Sequence, residues 1–245
     1  MGASHRAVID IVGVGLCPDT DCTLGALSVL RQSTVAITFD PIGTIVPFAR
    51  KLGIDIENIA YLYPDHKDRP QYYDRVAEHV VSLCQSRPTV CYVTYGHPCM
   101  LDQPVENICR LAQERQITCV VHNAPSFIDS ILAAEHLFIG GSGLQVYTAS
   151  HLLERKPAIN PDSPLIVGQL LALGSLDDNA MLVTRPADLV PLVKYLATFY
   201  SGSEQVVLLS ASAGEIPAVA RKATFATLPF FAATVTALTS LVVSP

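Results

Sequence analysis

The chain has 245 residues, half of them apolar, with 16% charged residues and a formal net charge of −6. That length suffices for one or two buried cores, and an acidic balance without a basic block excludes nucleic acid and polyanionic membrane surfaces as expected partners. Seven cysteines stand singly, none in a Cys-x-x-Cys pair, and no His/Cys spacing supports zinc or another metal site. They read as reduced thiols: Cys84, Cys91, Cys109 and Cys119 fall on apolar faces, while Cys17 and Cys99 fall in strand-end loops where they could line a site. Residues 1–6 lead into a strand without a signal peptide, and no apolar stretch is long enough to span a bilayer. A soluble cytoplasmic protein with no membrane partner is the expectation.

The apolar run 7–14, broken only by Asp10, predicts a buried strand. Thr23 is placed to cap a helix whose Leu24, Leu27 and Leu30 share a face. Residues 35–39 read as the second strand, 45–52 as a short helix and 61–73 as a polar, aromatic segment. Pro70 suits the first turn of a helix with Tyr73, Val76, Ala77, Val80 and Cys84 on one face. Residues 89–95 predict a strand, and 104–115 a helix with Val105, Ile108, Cys109 and Ala112 inward. Residues 117–121 predict another strand, and Pro125 opens a helix with Phe127, Ile128, Ile131, Leu132 and Glu135 along one side.

This alternation predicts a mainly parallel sheet with helices on both faces. Ile139-Gly140-Gly141-Ser142-Gly143 interrupts it, and the domain boundary is placed there. Strands are expected at 144–148, 165–168, 181–184, 205–210, 223–227 and 237–243, with one strong helix at 186–200. The expected fold class is therefore α/β in two domains. Residues 1–140 form an N-terminal domain with a mainly parallel sheet and the strand-end loops. Residues 141–245 form a C-terminal domain with a mixed sheet.

Several motifs carry candidate chemistry. Gly13-Val14-Gly15 after the first strand, with Asp40 ending the second, has the outline of a dinucleotide site. Pro18 stands where a third Gly belongs, and Asp19 and Asp21 would repel a pyrophosphate, so a plain strand-to-helix loop is the stronger reading. Tyr61, Tyr63, Arg69, Tyr72 and Tyr73 cluster, and Arg69 lies one helical turn before Tyr73. That spacing can aim a guanidinium and a phenol into one cavity, the Arg for a developing oxyanion and the Tyr, its pKa lowered, as a base. An exposed loop with packed aromatics is the alternative. Tyr95-Gly96-His97-Pro98 ends a strand and precedes a helix entry at Asp102 and Pro104. In open α/β sheets ligands bind at such strand ends. Asn123-Ala124-Pro125-Ser126 repeats the design one strand later, Ser126 being a site hydroxyl or a simple cap. Gln169 ends another strand, and Thr239 and Ser240 place hydroxyls in an apolar final strand, where a ligand is one candidate partner.

In this order the motifs resemble the tetrapyrrole methylase superfamily of S-adenosylmethionine (SAM)-dependent methyltransferases. Within it the chain is most similar to the borosin-type peptide backbone α-N-methyltransferases. These share the four residues of Tyr95-Gly96-His97-Pro98, a segment like Tyr147-Thr148-Ala149-Ser150, and the spacing of Arg69 and Tyr73. The resemblance covers nearly the whole chain. It implies two α/β domains with a SAM cleft between them, and a homodimer. It places Tyr95, His97, Pro98, Met100, Ser126, Gln169, Thr239 and Ser240 around the cofactor. It assigns Arg69, Tyr73 and Tyr63 to the acceptor: a Tyr helps remove the proton of a backbone amide while Arg69 holds the oxygen.

The chain departs from the pattern in four places. Asn123-Ala124-Pro125 replaces the usual Pro-Gly, Thr148 replaces an acidic residue, and Tyr61 is one position off the spacing of another site tyrosine. The sequence also ends at Pro245 with no core-peptide tail, so the expected substrate is a separate precursor peptide, as in split borosin systems. Alternative readings are a tetrapyrrole or other small-molecule methylase of the same fold, and a degenerate SAM-binding regulatory partner.

Overall fold

The first apolar run forms β1 (Val8–Gly13), in which Ile9, Ile11 and Val12 are fully buried. The computed structural model describes residues 7–40, 42–62, 69–176 and 182–245, with the side chains of Arg69, Pro70 and Leu176 outside that description. The chain divides into two units: Met1–Phe127 with Ala213–Glu215, and Ile128–Ser212 with Ile216–Pro245.

In the first unit, β1 is followed by α1 (Pro18–Asp21), α2 (Leu24–Gln32), β2 (Ala36–Thr38), α3 (Ile45–Lys51) and β3 (Glu57–Asn58). Next come α4 (Arg69–Leu83), β4 (Thr89–Thr94), α5 (Gln103–Glu114) and β5 (Thr118–His122). The strands make one parallel sheet of order β3-β2-β4-β1-β5. Parallel strands need crossovers and are covered on both faces, which explains their unbroken apolar runs. Ile9, Ile11, Val90 and Tyr92 meet Tyr72, Val76, Val80, Ile108 and Ala112 on one face. Val12, Val14, Cys91 and Val93 meet Ala26, Leu30, Ile45 and Phe48 on the other.

The helices are those expected, with some faces turned. Thr23 caps α2, its hydroxyl accepting from the Ala26 amide at 3.0 Å. However, Leu24 is 85% exposed and the buried pair is Ala26 and Leu30, so the inward stripe starts one half-turn later. On α4 the buried aromatic is Tyr72, and Tyr73 and Cys84 are half-buried. On α5, Val105, Ile108, Leu111 and Ala112 are buried and Cys109 is half-buried.

Two local devices fix this unit. Asp40, buried after β2, accepts hydrogen bonds from four backbone amides: Gly43 (2.8 Å), Thr44 (3.1 Å), Ile45 (2.9 Å) and Val46 (3.0 Å). These are amides that the start of α3 would otherwise leave unpaired. Gly13, at the end of β1, is the second: a Cβ there would lie 2.5 Å from Pro98 Cδ, 2.7 Å from the Gly96 carbonyl oxygen and 3.0 Å from Ala124 Cβ.

In chain order the rest is α6 (Phe127–Ala134), which starts at the end of the first unit, β6 (Gln145–Thr148), α7 (Ala149–Arg155) and β7 (Leu165–Gly168). The short pair β8 (Ser175–Leu176) and β9 (Leu182–Val183) precedes α8 (Pro186–Leu196), β10 (Gln205–Ser210), β11 (Val219–Thr224) and β12 (Thr239–Val243). The second sheet has the order β11-β10-β12-β7-β6; β6 and β7 are parallel and the other pairs antiparallel. Leu165, Val167, Leu208, Leu241 and Val243 pack against Leu152, Leu189, Leu192, Leu196 and Phe225. The fold is thus α/β, with one parallel and one mixed five-stranded sheet.

In the second half two elements end elsewhere than expected, and one helix is additional. The strand expected at 223–227 is β11, ending at Thr224, because Thr227 turns back to bond Thr224. The helix expected to 200 ends at Leu196, and Thr198 and Phe199 close tighter turns. The segment that forms α7 shows no helical signal in the sequence. Seven residues are too few to show helical periodicity.

Two substitutions test these devices. Asp40→Ala should lower unfolding free energy by about 2–4 kcal/mol in urea titrations, and Asp40→Asn, which keeps one acceptor oxygen, by roughly half of that. Gly13→Ala should cost about 1–3 kcal/mol through overpacking, with amide exchange speeding up at Gly96 and Ala124 rather than in α4.

Candidate functional site

The carboxyl ends of β1, β4 and β5 meet at Gly13. β4 ends at Thr94, and the chain turns through Tyr95, Gly96, His97, Pro98, Cys99 and Met100 before α5. Val14 donates to the Thr94 carbonyl at 3.1 Å. Gly96 donates to the Gly15 carbonyl at 2.9 Å and accepts from the Gly15 amide at 3.4 Å, an antiparallel bridge between two loops. Gly96 has φ +66°, a left-handed conformation that glycine adopts at low cost.

His97 closes the turn. Its Nδ1 accepts from the Cys99 amide at 3.0 Å, and its carbonyl accepts from the Met100 amide at 2.9 Å. Pro98 is buried beside Gly13, and Tyr95, His97 and Met100 are half-buried. Asp102 ties the two ends of the loop. One carboxylate oxygen accepts from the Val105 amide at 3.1 Å and caps α5; the other accepts from the Thr94 hydroxyl at 2.5 Å. Burial raises the Asp102 pKa, and these two hydrogen bonds oppose the rise.

Burial, then the charge of Asp102, pushes the Tyr95 phenol up to about 12. Tyr92, fully buried, is raised well above its ordinary value by burial first. Tyr73 interacts electrostatically with both, and its ring lies 5.6 Å from that of Tyr72. The phenols beside Tyr73 are therefore held protonated at neutral pH. Arg69 opens α4 one turn before Tyr73, as its spacing requires, but its side chain lies outside the described residues. Tyr63 lies outside them altogether.

At the end of β5, Ala124 and Ser126 are buried, and Ala124 packs toward Gly13. His122 Nε2 lies 2.7 Å from Asp10 Oδ1, clamping the edge strand β5 to β1. Sequence reading missed this pair; its signal is the lone Asp in the apolar run of β1. The Asp40 carboxylate is engaged by the amides of Gly43, Thr44, Ile45 and Val46. Among the described residues no group of three or more His, Cys, Asp or Glu is placed to hold a metal.

In the second unit, Gln169 follows β7 with φ +57°. The antiparallel register pairing Leu241 with Val167 carries Ser240 and Thr239 toward Gly168 and Gln169, so the three candidates share one end of the sheet. The Thr239 hydroxyl has protein partners: it accepts from the Thr236 amide at 2.8 Å and lies 2.7 Å from the Ser210 hydroxyl. Its place in an apolar strand is thus accounted for without a ligand. Thr148, which replaces an acidic residue, caps α7 by accepting from the His151 amide at 3.1 Å. Tyr147 stacks on His151, with ring centroids 6.0 Å apart.

Among solved structures the chain is similar to uroporphyrin-III-C-methyltransferase from Thermus thermophilus, with a TM-score of 0.67 and 16% identity over 98% of this chain and 92% of that one. It is also similar to a diphthine synthase, with a TM-score of 0.63 and 15% identity over 97% of this chain and 90% of that one. At such identities the likeness establishes the fold. Among curated proteins it is 24% identical over 169 residues to the methyltransferase/ribosomally synthesized type I borosin cyclic peptide precursor cmaMA of Coprinopsis marcescibilis. That match covers 69% of this chain and 43% of the relative, so the chain spans less than half the length of the curated protein it matches. The profile of the tetrapyrrole (corrin/porphyrin) methylases matches residues 8–214, and the chain belongs to that family, whose methyl donor is SAM.

Proposed function

We propose that this methyltransferase α-N-methylates backbone amides of a separate precursor peptide. The observation that carries this reading is the similarity to a borosin methyltransferase over 69% of the chain, in a sequence that keeps Arg69 one helical turn before Tyr73.

The residues present suit SAM. At Gly96, which is buried, a Cβ would meet only Leu16 Cδ2, at 3.9 Å, so the turn is not crowded on that side. Around it stand the half-buried side chains of Tyr95, His97 and Met100, with the buried Ser126 one strand away. Such a lining accepts an aromatic base and an apolar methyl group. Tyr95, His97, Pro98, Met100 and Ser126 would hold the cofactor. When bound, SAM supplies an electrophilic methyl group.

The chain's own residues then act on the acceptor. Arg69 holds the amide oxygen as negative charge develops there, with planar donors that stay charged at any working pH. Tyr73 or Tyr63 receives the amide proton. Burial raises the phenols around Tyr73, so the positive charge of Arg69 is what would bring a neighbouring phenol into range as a base. Holding donor and amide in line contributes much of the remaining rate. A homodimer is the assembly that accompanies this reading, and sedimentation tests it.

Incubation with SAM and the short peptides encoded beside the chain should add methyl masses one at a time, located by fragmentation on backbone nitrogens. Methylation of a tetrapyrrole in place of any peptide would establish the small-molecule alternative. Tight SAM binding with no turnover on either would establish the regulatory one. Arg69→Ala should lower turnover by about 10²–10³-fold with SAM affinity unchanged, and Arg69→Lys should not restore it, because an ammonium lacks the planar fork. Gly96→Ala, which strains the left-handed turn, should weaken SAM binding about tenfold or more in calorimetry.

A further inference from the structure

Cys109 and Cys119 lie apart from the candidate site. Cys109 is on α5 and Cys119 on β5, joined by a short turn in which Gln116 has φ +58° and Ile117 donates to the Ala112 carbonyl at 2.8 Å. The turn folds the helix back onto the strand and sets the two side chains face to face. Their Sγ atoms are 3.5 Å apart and share a hydrogen bond, and both residues are half-buried. We propose that Cys109 and Cys119 form a redox modification site, converted by a peroxide into a disulfide between α5 and β5.

The geometry needs little movement. A disulfide S–S bond is about 2.05 Å long, so the sulfurs must close by roughly 1.5 Å, which side-chain rotation can supply. The two thiols are also unequal. The hydrogen bond from Cys119 brings the Cys109 thiol down to about 7, whereas the same bond and burial raise Cys119. In the proposed reaction Cys109 acts as the thiolate and Cys119 as the resolving thiol. Of the other cysteines, Cys91 is fully buried with its thiol pushed up to about 12, burial raises Cys22 and Cys84, and Cys99 is exposed but has no second thiol within hydrogen-bond reach among the described residues.

In the first step the Cys109 thiolate attacks one peroxide oxygen. The O–O bond breaks, a sulfenic acid forms, and hydroxide leaves and takes up a proton as water. In the second, the Cys119 sulfur attacks the sulfenic sulfur. The S–O bond breaks, the S–S bond forms, and the departing hydroxide combines with the Cys119 proton as a second water. Two thiols and one hydrogen peroxide give one disulfide and two waters, with two electrons passing from sulfur to oxygen.

The test reads thiol state on the full-length protein and does not involve methyl transfer, so it stands or falls apart from the proposed activity. The protein is treated with equimolar hydrogen peroxide, its remaining thiols are alkylated, and its peptides are mapped without reduction. A Cys109–Cys119 cross-link that dithiothreitol reverses is expected. Cys84→Ser should leave it intact. Cys119→Ser should instead leave a Cys109 sulfenic acid that dimedone traps, and the pH midpoint for Cys109 alkylation should move upward. A Cys84–Cys119 link, sulfinic acid at Cys109 without a cross-link, or two thiols that stay free while Cys99 oxidises would each overturn the proposal.

Discussion

The carboxyl edge of the parallel sheet depends on how closely the end of β1 can approach the turn after β4. Gly13 has no side chain, and Pro98, the Gly96 carbonyl and Ala124 occupy the space that one would fill. From that contact the rest follows. The Gly15–Gly96 bridge can form, Pro98 is seated, and the His97 carbonyl is aimed at the Met100 amide. Asp102 then caps α5 while holding the Thr94 hydroxyl. Backbone clearance at one residue sets the shape of two neighbouring loops, one bearing Tyr95 and His97 and the other Ser126. No functional side chain is needed at the junction itself.

The electrostatics of this edge come from burial more than from ion pairs. Tyr92 and Tyr95 are raised because their phenolates would be poorly solvated, and the Asp102 charge adds to the effect. Phenols in this state are hydrogen-bond donors at neutral pH. Asp102 is raised for the same reason, but its two hydrogen bonds favour the carboxylate and resist the shift. The edge is thus built from neutral donors and satisfied acceptors.

Much of this was legible in the sequence. Strands of the parallel sheet are continuous apolar runs, and Thr23, Asp102 and Pro104 punctuate the helices as capping chemistry requires. Tyr95-Gly96-His97-Pro98 is legible as a strand-end turn, which His97 closes by accepting from the Cys99 amide. What remained hidden depends on tertiary register. Asp10 meets His122, and Cys109 meets Cys119, only after β5 has been laid beside β1 with α5 against it. Leu24 faces solvent because the sheet, not the helix, decides which stripe is covered. Thr148 looked like a departure from a motif, and its capping of α7 becomes visible only once that helix is known.

Asp40 has a consequence for which molecules this sheet edge will admit. Its carboxylate sits on the cluster of amides at the start of α3, the kind of backbone cradle that holds a phosphate group in many nucleotide sites. Here the chain brings its own anion. A diphosphate or triphosphate arriving beside β2 would find those donors satisfied and a buried negative charge in its way. A nucleoside without phosphate pays no such penalty. The loop after β2 therefore offers no free amides to the phosphates that a dinucleotide fingerprint usually binds.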